Sequence, residues 1–329
     1  MKRTKISDIA QLSNVSLTTV SRYFNHPELI SKKTREKIEE AIRQTEYSRD
    51  LLATSMITGT SNLVGIVFPS FNNSFYIELL HQLIEQGKKY EYHFLVHLAQ
   101  KTKEEEYEMI KNIVSYRPKG IVLLSHILPS DMVEKIPVPV ISVEREGGNF
   151  KQINNDNFRG GQLAGELFLK NKCEVFVHIN SGGSAEMPAY KRIIGYESTV
   201  KHKPYESFVR TSLEAPCSDE AKKEMQSIVS YLKETYSGKR LGLFCSNDDI
   251  AKLLLNTCIQ NDIPVPKQWE IIGYDGSPIS TSTALSITSI GQNISLMAQL
   301  IVESLENYIV CESIVPASLI EQETTTKRN

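Results

Sequence analysis

The side chains best suited to chemistry in this chain sit where apolar runs end. "SFNNSFY" offers Asn73, Phe75 and Tyr76, "SVEREG" offers Glu144 and Arg145, and "CSNDDIA" offers Asn247. "GYDGS" adds Asp275, "YKRIIGY" adds Arg192 near a helix start, and "SIGQNI" adds Gln292. An aromatic platform, forked guanidinium donors, carboxylates and carboxamides make up what a sugar requires. Its C–H face stacks on a ring while vicinal hydroxyls take paired hydrogen bonds from planar groups. Singly, each residue has a plainer use: Phe75 or Tyr76 can fill a core, and Asn247 or Asp248 can cap a helix. Two carboxylates in a cleft also suit the acid–base pair of a glycosidase.

Other chemistry finds little support. No HExxH or close histidine pair holds a metal and no GxSxG elbow holds a nucleophile, so neither metal, cofactor nor enzyme activity is expected. "NSGGSAE" lacks the lysine and hydroxyl ending of a phosphate-binding loop and reads as an ordinary loop. Cys173, Cys217, Cys245, Cys258 and Cys311 form no CxxC pair, which suits reduced thiols filling packed sites in a cytoplasm.

A second polar cluster lies near the start, in "NVSLTTVSRYFN". The net charge of the chain is -2, yet Lys2, Arg3, Lys5, Arg22, Lys32, Lys33 and Arg35 face only Asp8 and Glu28 within residues 1–35. A basic head on an acidic body suggests that the head alone meets a polyanion. Ile6, Ile9 and Ala10 form one helical stripe. Ser16 is placed to cap the next helix, in which Val20 and Phe24 share an inward face and Thr18 and Arg22 an outward one, beside Leu17 and Ser21. Ser31 caps a third, with Ile38, Ala41 and Ile42 inward. Two helices joined by a tight turn, the second polar outside, make a helix-turn-helix. Short hydroxyls approach phosphate oxygens closely, and Arg22 is long and forked enough to read guanine in the major groove.

The elements that must carry the first set follow from Leu63 onward. "NLVGIVFP", "YHFLVHL", "KGIVLLS", "VPVISVE", "EVFVHIN", "ESFVR", "RLGLFCS" and "WEIIGYDG" are strand-sized apolar runs with amphipathic stretches between several of them. That alternation argues for parallel sheets covered on both faces, in two similar α/β lobes, with strand-end loops facing a shared cleft. A length of 329 residues accommodates two or three such units at ~150 residues each. No apolar run approaches the ~20 residues that span a bilayer, and no apolar core follows the basic N-terminus, so neither membrane nor secretion is expected. In "FYIELLHQLIEQGKK", Ile77, Leu80 and Ile84 recur at helical spacing, as core or as a dimer face.

Taken together, "KISDIAQLSNVSLTTVSRYFN" and "ISKKTREKIEEAI" resemble the headpiece of the LacI/GalR family of bacterial transcription regulators, and the resemblance runs through the whole chain. It implies a small all-α helix-turn-helix headpiece at 1–48 and a hinge helix or plain linker at 49–61. It then implies a two-lobed periplasmic-binding-protein-like domain with Rossmann-like lobes. These would divide as 62–158 with 290–320, and 159–289. The resemblance makes Leu17 and Thr18 the operator-choosing pair and matches Arg22. It places Ser16, Thr19, Ser21 and Asn25 at the DNA backbone and Met56 at the minor-groove wedge. Arg49, Asp50 and Thr54 depart from the family's usual hinge residues.

It also matches the cleft set one by one, with Glu144-Arg145 where sugar receptors often have Asp-Arg. "INNDNFRGG", "IIGYDG" and "SVER" look most like sucrose-operon repressors. The implied protein is a cytoplasmic, homodimeric repressor of palindromic operator DNA, controlled by a small sugar or sugar phosphate. The alternative is a global catabolite-type regulator whose signal is a phosphorylated partner protein.

Overall fold

A computed structural model of the chain describes residues 4–47, 61–182 and 189–327, in two compact units that meet at Ser61 and Asn62. The first is helical: α1 (Ile6–Ser13), α2 (Leu17–Asn25) and α3 (Lys32–Thr45). Asn14 ends α1 in the left-handed region, at φ 53°, where asparagine is tolerated better than most residues. Ser16 Oγ then accepts from Thr19 N at 3.1 Å and starts α2, and Ser31 Oγ accepts from Thr34 N at 3.3 Å and starts α3. Such caps stabilise a helix by about 1 kcal/mol each. Ile9, Val20 and Ile38 are fully buried between the three helices, with Phe24 and Ile42 packed against them. This small core buries one stripe of α2 and leaves its polar stripe outside.

The second unit contains two six-stranded sheets. Strands β1 (Leu63–Phe68), β2 (His93–Leu98), β3 (Gly120–Leu123), β4 (Val140–Val143), β5 (Lys151–Asn155) and β11 (Glu312–Val315) form the first, in the order β11-β5-β4-β3-β1-β2, all parallel. Strands β6 (Val175–Asn180), β7 (Tyr205–Val209), β8 (Leu241–Cys245), β9 (Trp269–Asp275), β10 (Thr288–Gln292) and β12 (Ala317–Ile320) form the second, ordered β12-β10-β9-β8-β6-β7. Only β12 runs antiparallel there, with Ile290 opposite Leu319. Helices α4 (Ser74–Gly87), α5 (Lys103–Ser115) and α11 (Ile294–Glu306) cover the first sheet. The short α6 (Ser130–Val133), between β3 and β4, also belongs to the first lobe, and the second sheet is covered by α7 (Asn157–Lys170), α8 (Tyr190–Thr199), α9 (Asp219–Thr235) and α10 (Asp248–Gln260).

The lobe boundary differs from the sequence expectation at the C-terminal end. Helix α11 and β11 do rejoin the first lobe, but β10 and β12 belong to the second sheet. Thr324 Oγ1 also donates to Ile271 O at 2.7 Å and ties the tail to that sheet. The chain therefore passes between the sheets three times, after β5, after β10 and after β11.

In helix α4 the stripe that faces the core is not the one formed by Ile77 and Ile84. Its buried stripe is Phe75, Leu79 and Leu83, while Ile77 and Ile84 are 47% and 42% exposed. Cys173, Cys245 and Cys258 fill packed sites, but Cys217 and Cys311 are exposed. Among the described residues no helix is long and apolar enough to cross a membrane, and no cluster of side chains has metal-ligand geometry.

Candidate functional site

On the headpiece, Ser16, Leu17, Thr18 and Arg22 are exposed along α2, and Thr19 and Ser21 are half-buried beside them. Ser16 and Thr19 share a 2.8 Å hydrogen bond besides the cap, so the two hydroxyls are held together at the helix start. Leu17 leaves 52% of its surface in solvent, an apolar tip on an otherwise polar stripe. Asn25 ends the helix. Met56, Arg49, Asp50 and Thr54 lie outside the described residues.

In the second unit a cavity of about 160 Å3, open to solvent, lies between the carboxyl ends of the two sheets. Asn73, Phe75, Tyr76, Glu144, Arg192, Asn247, Asp275 and Gln292 all line it, drawn from positions more than two hundred residues apart. The plain and the functional uses coincide at Phe75, which also packs into the core of the first lobe, and at two helix caps. Asn73 Oδ1 caps α4 by accepting from Phe75 N at 2.8 Å, and Asn247 Oδ1 caps α10 by accepting from Ile250 N at 2.8 Å. The carboxamide end not engaged by the cap is the one that remains for a ligand.

Arg192 is the centre of the charged set. Its Nε donates to Asn157 Oδ1 at 2.6 Å and its Nη1 to Ser246 O at 2.9 Å, while the guanidinium lies 3.6 Å from the centre of the Tyr274 ring. Asp275 Oδ1 is 3.9 Å from Nη1 and Glu144 Oε2 4.0 Å from Nη2. Asp275 also accepts from Gln292 Nε2. Its backbone sits at φ 105°, a strained conformation for a residue with a Cβ, and burial drives its carboxyl well above the usual carboxylate range.

Two glycines set the position of Arg192. A Cβ on Gly161 would come within 2.0 Å of Arg192 O, and one on Gly195 within 2.0 Å of Phe158 O, so α7 and α8 touch backbone to backbone. The Gly160-Gly161 pair of "INNDNFRGG" thus carries a packing requirement.

Glu144 lines the cavity but is largely committed. Its Oε1 accepts from Asn155 N at 2.8 Å and Asn155 Nδ2 at 2.7 Å, and its Oε2 from Asn157 Nδ2 at 2.7 Å. Arg145 is not brought to the cavity, contrary to expectation. Glu144 adopts φ 55° and breaks the strand's alternation, and the Arg145 guanidinium donates instead to Leu128 O and Ser125 O, each at 2.7 Å. It lies near His126, which does line the cavity. Burial, with the Arg145 charge second, lowers the His126 imidazole to about 4, so this ring is neutral near pH 7.

Asn180, Ser181 and Ser246 also line the site. Asn180 closes β6, and the other two immediately follow β6 and β8, so the strand-end rule that found Asn247 could have found them. Ser181 and Gly182 belong to "NSGGSAE", whose glycine-rich look suggested only a loop; Tyr190, four residues after "NSGGSAE" ends, signals nothing in its own local sequence.

Comparison with known proteins matches residues 5–50 to the bacterial regulatory proteins of the lacI family and residues 166–327 to a periplasmic binding protein-like domain. The sucrose operon repressor of Streptococcus mutans is 30% identical over 302 residues, covering 92% of this chain and 91% of that protein. Among solved structures, the lac repressor dimer bound to operator and the anti-inducer ONPF is similar at a TM-score of 0.81 and 18% identity, over 99% of this chain and 100% of that one. A periplasmic binding protein/LacI transcriptional regulator from Alkaliphilus metalliredigens, complexed with D-xylulofuranose, is similar at a TM-score of 0.68 and 23% identity, over 81% of this chain and 100% of that one.

Proposed function

This chain belongs to the lacI family of bacterial regulatory proteins, and from that premise we propose that it is an operator-binding repressor switched by a small sugar or sugar phosphate in the interlobe cavity. The observation that carries the reading is the cavity lining, where Asp275, Gln292 and Arg192 meet Phe75 and Tyr76. Ring faces and planar donors and acceptors together match a polyhydroxylated ring. The relative from Streptococcus mutans is named for a sucrose operon, and the Alkaliphilus protein holds a furanose sugar, which favours a fructose- or sucrose-type effector.

In this reading α2 enters the major groove: Leu17, Thr18 and Arg22 reach base edges, and Ser16, Thr19, Ser21 and Asn25 meet phosphates. One headpiece reads one half-site, so the working unit is a homodimer on a palindrome. The exposed Ile77 and Ile84 suit burial against a second copy. A protein acting on bacterial DNA works in the cytoplasm. Binding without turnover is part of this reading, and it is supported by Glu144, both of whose oxygens are held by Asn155 and Asn157. Ligand that favours one lobe arrangement by ~1–3 kcal/mol shifts operator affinity ~5–150-fold.

The test is fluorescence anisotropy of the purified chain on DNA from upstream of its own gene, titrated with sugars and sugar phosphates. Release by one of them is expected. For Arg22→Ala, weakening by ~1–3 kcal/mol with a flattened base preference is expected. Tight binding that ignores every sugar would defeat the reading and point to a protein partner as the signal.

A further inference from the structure

The charge of the cavity discriminates between a free sugar and its phosphate ester. Glu144 and Asp275 are carboxylic side chains in the lining, and Arg192 is the one guanidinium or ammonium side chain among the described lining residues. Residues 183–188, next to the lining in sequence, read Gly-Ser-Ala-Glu-Met-Pro and hold no basic residue. The nearby cations are engaged elsewhere: Arg145 donates to Leu128 O and Ser125 O, and Lys191 pairs with Glu146. Arg192 is itself bonded to Asn157 and Ser246 and flanked by the two carboxylates.

Helix N-termini are the other stations where a phosphate settles. Helix α4 opens on the cavity, but Ser74 N at its start already donates to Asp249 Oδ2 at 2.8 Å. Helix α10 opens there too and carries Asp248 and Asp249 in its first turn. Helix α8 has no side-chain cap, and its first turn carries Lys191, paired with Glu146, and Arg192, flanked by Glu144 and Asp275. Two of the three helix starts thus already carry the protein's own carboxylates, and at the third Arg192 lies between Glu144 and Asp275.

We propose that the cavity takes an uncharged polyhydroxy ligand, a free sugar, and excludes phosphorylated sugars. This rests on the reading of the cavity as the effector site and narrows its ligand class. A phosphate carries a charge of about -1.5 to -2 near pH 7. It would have to enter beside the Glu144 carboxylate and the buried Asp275 carboxyl without a cation of its own, whereas hydroxyls can hydrogen-bond to both groups and accept from the Asn73, Asn247 and Gln292 carboxamides.

The experiment is calorimetry on the full chain near pH 7 with fructose, sucrose and ribose, each beside its terminal phosphate ester, and with inorganic phosphate as a control. At least one free sugar is expected to bind about 100-fold or more tightly than its ester, the scale set by like charges held together. An ester that binds as tightly as its parent, or more tightly, overturns the proposal while leaving the effector site in place. Silence from every sugar and ester overturns the effector reading itself. Asn180→Lys places a cation at the lining and is expected to narrow the sugar-to-ester ratio about 10-fold or more. A ratio that does not move would show that charge is not what excludes the ester.

Discussion

Asp249 holds Ser74 across the cleft. Its two carboxylate oxygens accept from the Ser74 N–H and hydroxyl, each at 2.8 Å, although the residues are 175 positions apart. Ser74 starts α4 on the first lobe and Asp249 lies in the first turn of α10 on the second. Opening the lobes breaks both bonds. Hydrogen bonds to a charged group contribute about 1.5–3 kcal/mol each when well shielded, less for a half-buried pair. Asp249→Ala is expected to weaken sugar binding roughly 5- to 30-fold, as about 1–2 kcal/mol is removed from the closed arrangement. Calorimetry reads the affinity, and small-angle scattering of the ligand-free variant should show a larger radius of gyration. An unchanged affinity would mean that the bridge does not favour the binding arrangement.

The contact between α7 and α8 predicts a defect remote from the ligand. In Gly161→Ala the new Cβ would meet the Arg192 carbonyl at 2.0 Å, so α8 must move or tilt. Overpacking of this kind costs about 1–3 kcal/mol. The melting temperature should fall by several degrees and the sugar response should fail. Headpiece binding to operator half-sites should persist, because its core of Ile9, Val20 and Ile38 is separate. A variant with normal melting and normal release would show that Arg192 does not depend on this crossing.

His178 provides a pH dependence. It is fully buried on β6 against Tyr196 and Phe244, neither ring nitrogen has a partner, and burial lowers its imidazole to about 3 from an ordinary 6.5. The folded state keeps the ring neutral while the unfolded chain protonates it below 6.5. Its stability contribution is therefore whole above that pH and is lost as pH falls toward about 3. The expected loss is about 2 kcal/mol by pH 5, at about 1.4 kcal/mol per pH unit. His178→Leu should remove that slope and raise stability more at pH 5 than at pH 8, measured by denaturant unfolding. Parallel pH profiles for the two proteins would place the acid sensitivity elsewhere.

Legibility followed the range of the forces involved. The headpiece was readable residue by residue because caps and a 3.6-residue stripe act locally: Ser16, Ser31, Val20 and Ile38 do what their spacing suggested. The apolar strands were equally plain. Strand β5, "KQINN", was not, since every residue is buried yet only Ile153 is apolar; the side-chain nitrogens of Gln152, Asn154 and Asn155 donate hydrogen bonds no local pattern announces. The exposed Ile77 and Ile84 could be read as core or as a dimer face for the converse reason, because periodicity marks a stripe without saying which side the sheet lies on.

What the sequence by itself determined is the order of elements, the helix-turn-helix with its exposed Leu17, Thr18 and Arg22, and the strand ends from which a polar cleft is built. Each depends on residues within a few positions of one another. Tertiary structure decided the rest: that β12 returns to the second sheet, that Glu144 is held by Asn155 and Asn157, that Arg145 turns away, and that Asp249 bridges to Ser74. Those outcomes depend on where a backbone turn such as Glu144 at φ 55° aims the next side chain, and on which polar groups burial leaves to satisfy one another across long stretches of chain.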